Sequence, residues 1–252
     1  MVQPFYRMKK RIFYRFKTRN HKGHGIHSPY LYRFITSVLQ EKNPFYCFKQ
    51  IETQRKKIYN ENFSILKNHS KRLRSKDAFN GQIIFRIIED ASFKTLLELG
   101  TYIGIETLYM AMAKPDAKCF SVTKSAELAG LALKSFHEQD LNQINLHLIK
   151  PQEDLATILK ELDSLDFVLF NYISDPQETF ELFKKCLSLN NIGSIFVLMD
   201  IHKNPKMDAV WKKIRSHEKV QISIDTYDLG ILLFNPELSK KNYVLRTNFK
   251  TL

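Results

Sequence analysis

The segment Leu96-Leu97-Glu98-Leu99-Gly100-Thr101-Tyr102-Ile103-Gly104-Ile105-Glu106-Thr107 holds residue types and spacings that could do chemistry. A short apolar run leads into an acid, then a Gly-x-x-x-Gly turn, then a helical pattern. Gly100 and Gly104 let the backbone come close to a ligand at the carboxyl end of a strand, where doubly wound sheets bind their ligands. The spacing differs from Gly-x-Gly-x-x-Gly, which argues against a nicotinamide dinucleotide. Such a turn also serves plain strand-to-helix packing, so its meaning depends on the elements around it.

A second candidate lies earlier, where His21, His24 and His27 recur at intervals of three around Gly23-His24-Gly25-Ile26-His27-Ser28-Pro29. Two glycines and a Ser-Pro step prevent the continuous helix that would align these imidazoles, and no carboxylate or thiolate is adjacent. We therefore expect a structural role. Ser28 reads as an N-cap and Pro29 as the first residue of a helix through Leu31, Phe34, Ile35, Val38 and Leu39. Cys47, Cys119 and Cys186 lie far apart with no paired spacing, which fits a reducing compartment.

From residue 95 onward short apolar runs alternate with amphipathic helical patterns, the signature of a parallel sheet covered on both faces. The strand candidates are 95–99, 118–122, 145–149, 166–170 and 194–199, with helices near 104–113, 125–138, 152–162 and 176–188. After a helix around 205–217, strands 220–227 and 230–234 are joined too tightly for a right-handed crossover, so that pair must be antiparallel. The expected fold is a doubly wound, Rossmann-like sheet of five parallel strands plus a C-terminal antiparallel hairpin, behind a basic helical extension. We place the boundary between residues 1–76 and 77–252.

Charge supports that boundary. Residues 1–76 carry 19 of the 39 Lys+Arg against only Glu41, Glu52 and Glu61, so the net charge of +13 is concentrated at one end. Such a block attracts phosphates or anionic headgroups. Within it Phe5, Met8, Ile12 and Phe16 fall on one face of a basic amphipathic helix, which could pack on its own domain, follow nucleic acid or lie on a membrane surface. The low Ser content argues against a transit peptide. The first 30 residues lack the apolar core of a secretory signal and no run is long enough to span a bilayer, so a cytoplasmic protein is expected.

The 96–107 segment, with five parallel strands and a closing hairpin, resembles the first motif and the strand plan of class I S-adenosylmethionine-dependent methyltransferases. The resemblance extends to a bacterial O-methyltransferase-like group: residues 23–30 are similar to its Gly-His-Gly-Ile-His-Ser-Pro-aromatic segment. Asp200-Ile201-His202, Trp211 and the run from Ile224-Asp225 through Gly230, Phe234 and Glu237 are similar to its C-terminal half. The resemblance implies S-adenosylmethionine as cofactor. Glu98 would meet its ammonium group, with Gly100, Thr101, Gly104 and Thr107 forming the turn, Thr123 and Asn171 at strand ends, and Gln152 and Glu153 near adenine. Asp200 and His202 are the polar pair nominated near the methyl group. The alternative for Asp200 is to cap or orient a strand-to-helix turn, and for His202 a solvated surface position.

Departures from the pattern also carry information. Relatives end the second strand with an acid for the ribose hydroxyls, whereas this chain reads Ser121-Val122-Thr123-Lys124. Asn171 and Asp200 replace richer carboxylate sets, a poor site for a hard cation, so no metal is expected. A Gly-Ala-Gly-Ser segment is absent between Asn60 and Lys76. Two readings stay open: methyl transfer to an unidentified oxygen or nitrogen acceptor, or an inactive methyltransferase fold binding RNA or a membrane surface through residues 1–76.

Overall fold

The computed structural model describes residues 2–17, 25–69, 75–149, 155–171, 173 and 175–245. The helices begin with α1 (Val2–Lys17) and α2 (Pro29–Arg33), which runs into a π-helical turn, Phe34–Leu39, and then α3 (Tyr46–Glu61), α4 (Phe63–His69) and α5 (Ser75–Glu89). Strands and helices then alternate as β1 (Thr95–Leu99), α6 (Ile105–Ala113), β2 (Lys118–Thr123), α7 (Ala126–Glu138), β3 (Ile144–Leu148) and α8 (Leu155–Lys160). The chain continues through β4 (Leu165–Phe170), α9 (Pro176–Cys186), β5 (Asn190–Met199), α10 (Pro205–Arg215), β6 (Ile222–Asp225), β7 (Leu229–Leu233) and β8 (Lys241–Val244).

Two compact units emerge. Glu41–Glu153 forms the body of a mid-chain unit, and Met1–Gln40 joins Asp154–Asn248 in a terminal unit. The mid-chain unit orders its strands β3-β2-β1, all parallel, with Glu98 level with Ser121. The terminal unit orders its strands β4-β5-β7-β6-β8. Here β4 and β5 are parallel, β7 is antiparallel to both β5 and β6, and β8 runs parallel to β6. The apolar runs expected as strands are strands, because continuous Leu, Val, Ile and Phe segments such as β4 and β7 are buried on both faces. The addition is β8, whose four residues follow a polar run and carry too little apolar pattern to announce an edge strand.

Ser28 caps α2 as expected, its hydroxyl accepting from the Leu31 N–H at 3.4 Å, with Pro29 in the first turn. The helix then widens: the Gln40 N–H reaches the Ile35 carbonyl at 3.1 Å, and Phe34, Ile35, Val38 and Leu39 are all buried. Gly230 in β7 marks the closest packing of this unit, since a Cβ there would lie 2.6 Å from the buried Trp211 ring of α10.

Candidate functional site

The Gly100–Gly104 turn leaves β1 with three left-handed residues: Gly100 at φ 100°, Tyr102 at φ 52° and Gly104 at φ 80°. The N–H groups of Gly100 and Thr101 both donate to the Val122 carbonyl, at 2.8 and 3.1 Å, which ties the turn to β2. Gly104 is fixed for two reasons, since beyond its φ a Cβ would meet the Phe136 ring of α7 at 2.6 Å.

Beneath the turn sits a buried hydroxyl cluster. Glu98 is 0% exposed, and its Oε2 accepts from Thr107 Oγ1 at 2.5 Å and Ser121 Oγ at 2.9 Å. The Thr101 and Ser121 hydroxyl oxygens lie 2.6 Å apart. A buried carboxylate needs such donors. The sequence reading gave Glu98 to a ligand's ammonium group, and the structure adds two hydroxyls of the same unit as its partners. Ser121 was missed as a site residue, although strand register alone places it opposite Glu98.

Thr123 closes β2, and its Oγ1 accepts from the Ser125 N–H at 3.3 Å in the turn that opens α7. The nearest acid in the sequence is Glu127, already inside α7. Gln152 and Glu153 lie outside the described residues. In the terminal unit, Asn171 follows β4 and is buried, and Asp200 follows β5 in a left-handed conformation, φ 55°. The Asp200 N–H donates to the Asp228 carbonyl at 2.6 Å, and its Oδ1 lies 4.0 Å from the Arg7 guanidinium. Asn204, not Asp200, caps α10.

His202 requires a correction. It is not a solvated surface residue: it is 4% exposed and bridges two carboxylates, Nδ1 lying 2.5 Å from Asp208 Oδ1 and Nε2 lying 2.8 Å from Asp225 Oδ2. Burial opposes its charge, but the hydrogen bonds to Asp208 and Asp225 outweigh that and raise its pKa above the ordinary 6.5. Burial likewise works against the Asp208 carboxylate. Hydrogen bonds from His202, Lys10 and Lys212 prevail and hold it far below the usual range. Lys10 Nζ lies 2.6 Å from Asp208 Oδ1, and Trp211 Nε1 donates to Asp225 Oδ2 at 3.3 Å. The Tyr14 hydroxyl sits 2.6 Å from the carbonyls of both Asp225 and Leu245. This ionic cluster joins α1, α10 and β6. Sequence reasoning missed Asp208, which lies near His202 but reads as an ordinary acid in the first turn of α10, and Lys10 and Tyr14, which no periodicity links to positions so far along the chain.

Among the described residues no group of three or more His, Cys, Asp or Glu side chains gathers as a metal site. No family model and no curated protein sequence matches the chain. Solved structures do resemble it. An O-methyltransferase from Bacillus cereus in complex with S-adenosylhomocysteine is 16% identical over 80% of this chain and 96% of that one, with a TM-score of 0.58. TomG, an O-methyltransferase from Streptomyces achromogenes involved in tomaymycin synthesis and solved with S-adenosylmethionine, is 16% identical over 80% and 94%, with a TM-score of 0.56. A Podospora anserina methyltransferase bound to S-adenosylhomocysteine is 12% identical over 77% and 98%, with a TM-score of 0.54. The fold is therefore the Rossmann-like fold of the class I methyltransferases.

Proposed function

We propose that the chain binds S-adenosylmethionine at the carboxyl end of β1 and transfers its methyl group to an oxygen or nitrogen acceptor. The observation that carries this reading is the Gly100–Gly104 turn, left-handed at both glycines and raised on the buried Glu98. The residues fit the amino-acid end of that cofactor: a carboxylate beneath the turn creates a field that favours an ammonium group above it. The complexes of the similar O-methyltransferases with S-adenosylmethionine or S-adenosylhomocysteine support the same cofactor.

The ribose end fits through a hydroxyl. Thr123 Oγ1 accepts from Ser125 and keeps its own O–H to donate. Replacing a charged acceptor by a neutral group forgoes about 1.5–3 kcal/mol, so affinity about tenfold to 150-fold weaker than with an acid at this position is expected. When bound, the cofactor supplies an electrophilic methyl on its sulfonium sulfur. The chain's part is positioning, which suffices for in-line transfer without a strong general base. In the terminal unit, Asn171 and Asp200 stand at the carboxyl ends of β4 and β5. His202 is left out of the chemistry, since both of its ring nitrogens are engaged by carboxylates.

Isothermal calorimetry with S-adenosylmethionine and S-adenosylhomocysteine tests the reading. Saturable binding of both below millimolar ligand is expected, weakened by Glu98→Ala. Absence of binding at millimolar ligand would overturn it, and binding indifferent to Glu98→Ala would move the pocket elsewhere.

A further inference from the structure

Packing on its own domain was one of three roles left open for the amphipathic face of α1 that carries Met8 and Ile12. The structure turns Met8 and Ile12 outward. Met8 is 54% exposed and Ile12 is 52% exposed, with Phe13 exposed beside them. The helix is held from its other side, where Lys10 meets Asp208, Tyr14 reaches the carbonyls of Asp225 and Leu245, and the Tyr227 hydroxyl donates to the Arg7 carbonyl at 2.8 Å. Thus Lys10, Tyr14 and the Arg7 carbonyl anchor α1 within the terminal unit, while Met8 and Ile12 face water. Leaving large apolar side chains exposed on a helix already fixed in place is unfavourable unless something covers them.

We propose that this outer face of α1 docks on an anionic lipid surface, independently of methyl transfer. Three features select that occupant. First, the helix carries Arg7, Lys9, Lys10, Arg11, Arg15 and Lys17 and no acid, and the exposed Lys9 and Arg11 stand next to Met8 and Ile12 along the helix. Cations beside an apolar strip match a headgroup layer over acyl chains. Second, Met8 and Ile12 are aliphatic. Their methyl and methylene groups gain by entering a hydrocarbon layer and gain little from phosphates or stacked bases, which disfavours RNA. Third, a second copy would bring the same acid-free helix against its like, and the repulsion opposes self-association through this face.

The geometry also sets the mode of binding. No helix among the described residues is long and apolar enough to cross a membrane, so α1 would lie in the interface plane. Because it is folded and anchored beforehand, docking does not have to order it, and most of the gain from burial is retained as affinity.

The test uses the full chain and vesicles of phosphatidylcholine with or without phosphatidylserine, read by co-sedimentation. Binding is expected to the vesicles with phosphatidylserine, weakening as salt rises. Met8→Ser with Ile12→Ser should lower it roughly tenfold or more, since both buried apolar side chains are lost. Lys9→Gln with Arg11→Gln should lower it on the order of thirtyfold at low salt. All four positions are exposed, and circular dichroism and the melting temperature are measured on each variant to confirm that it stays folded. The proposal fails if anionic vesicles are not bound, or if binding survives Met8→Ser with Ile12→Ser. It fails equally if those two substitutions abolish a concentration-dependent dimer in place of vesicle binding, or if only a single-stranded RNA oligomer is bound, through the cations alone.

Discussion

Two of the buried polar clusters of this protein are built in opposite ways. The floor of the glycine turn holds one carboxylate, Glu98, among the hydroxyls of Thr101, Thr107 and Ser121. Its members come from a short stretch of chain and meet through strand register. The cluster around His202 holds two carboxylates, an imidazole and the ammonium of Lys10, drawn from α1, the loop before α10, α10 itself and β6. The first shapes a local turn where a ligand can approach. The second joins distant parts of the chain, with opposite charges facing one another. Removing one partner from such a site takes a charged hydrogen bond from groups that stay buried, so the two clusters should respond very differently to substitution.

The largest effect is expected at His202. His202→Ala should destabilise the protein by about 3–5 kcal/mol, measured by urea denaturation, because it leaves Asp208 and Asp225 without their bridge. Glu98→Gln should cost less, about 1.5–3 kcal/mol, since it removes charge-assisted hydrogen bonds but keeps the shape, and it should also weaken S-adenosylmethionine binding. A loss at Glu98 as large as that at His202 would erase the distinction between a local and a long-range cluster.

The smallest and most specific effect concerns pH. His202 has its folded pKa raised above 6.5, so its contribution is full below about 6.5 and falls as pH rises through the raised value. Asp208 has its folded pKa lowered below 3.8, so its contribution is full above about 3.8 and is lost as pH falls toward the lowered value. The cluster therefore stabilises most between about pH 4 and 6.5. Melting temperatures of the parent protein should decline above that window, and His202→Gln should flatten the decline. A parallel decline in both proteins would show that His202 does not bridge in its charged form.

Much of the fold was written in local pattern. Continuous apolar runs announced β1, β2, β4 and β5, the short join near Asp228 required the antiparallel pair, and Ser28-Pro29 announced α2. The glycine turn was legible because φ above zero and close packing both demand glycine at position 104. The brief strand β8 was not legible, since its pairing with β6 rather than its own four residues makes it a strand. Nor was the widening of α2 into a π-helical turn over Phe34–Leu39.

By itself the sequence determined which segments are strands and helices, where the chain turns at Gly100–Gly104, and that positive charge is concentrated at one end. Periodicity and residue type act over a few positions, and those features need no more. Only the tertiary structure decided the fate of His202 and the orientation of α1. An imidazole becomes a buried bridge when carboxylates 6 and 23 positions away converge on it. An amphipathic helix can be held by either side, and here the hydroxyl of Tyr14 and the ammonium of Lys10 hold it, while Met8 and Ile12 stay exposed.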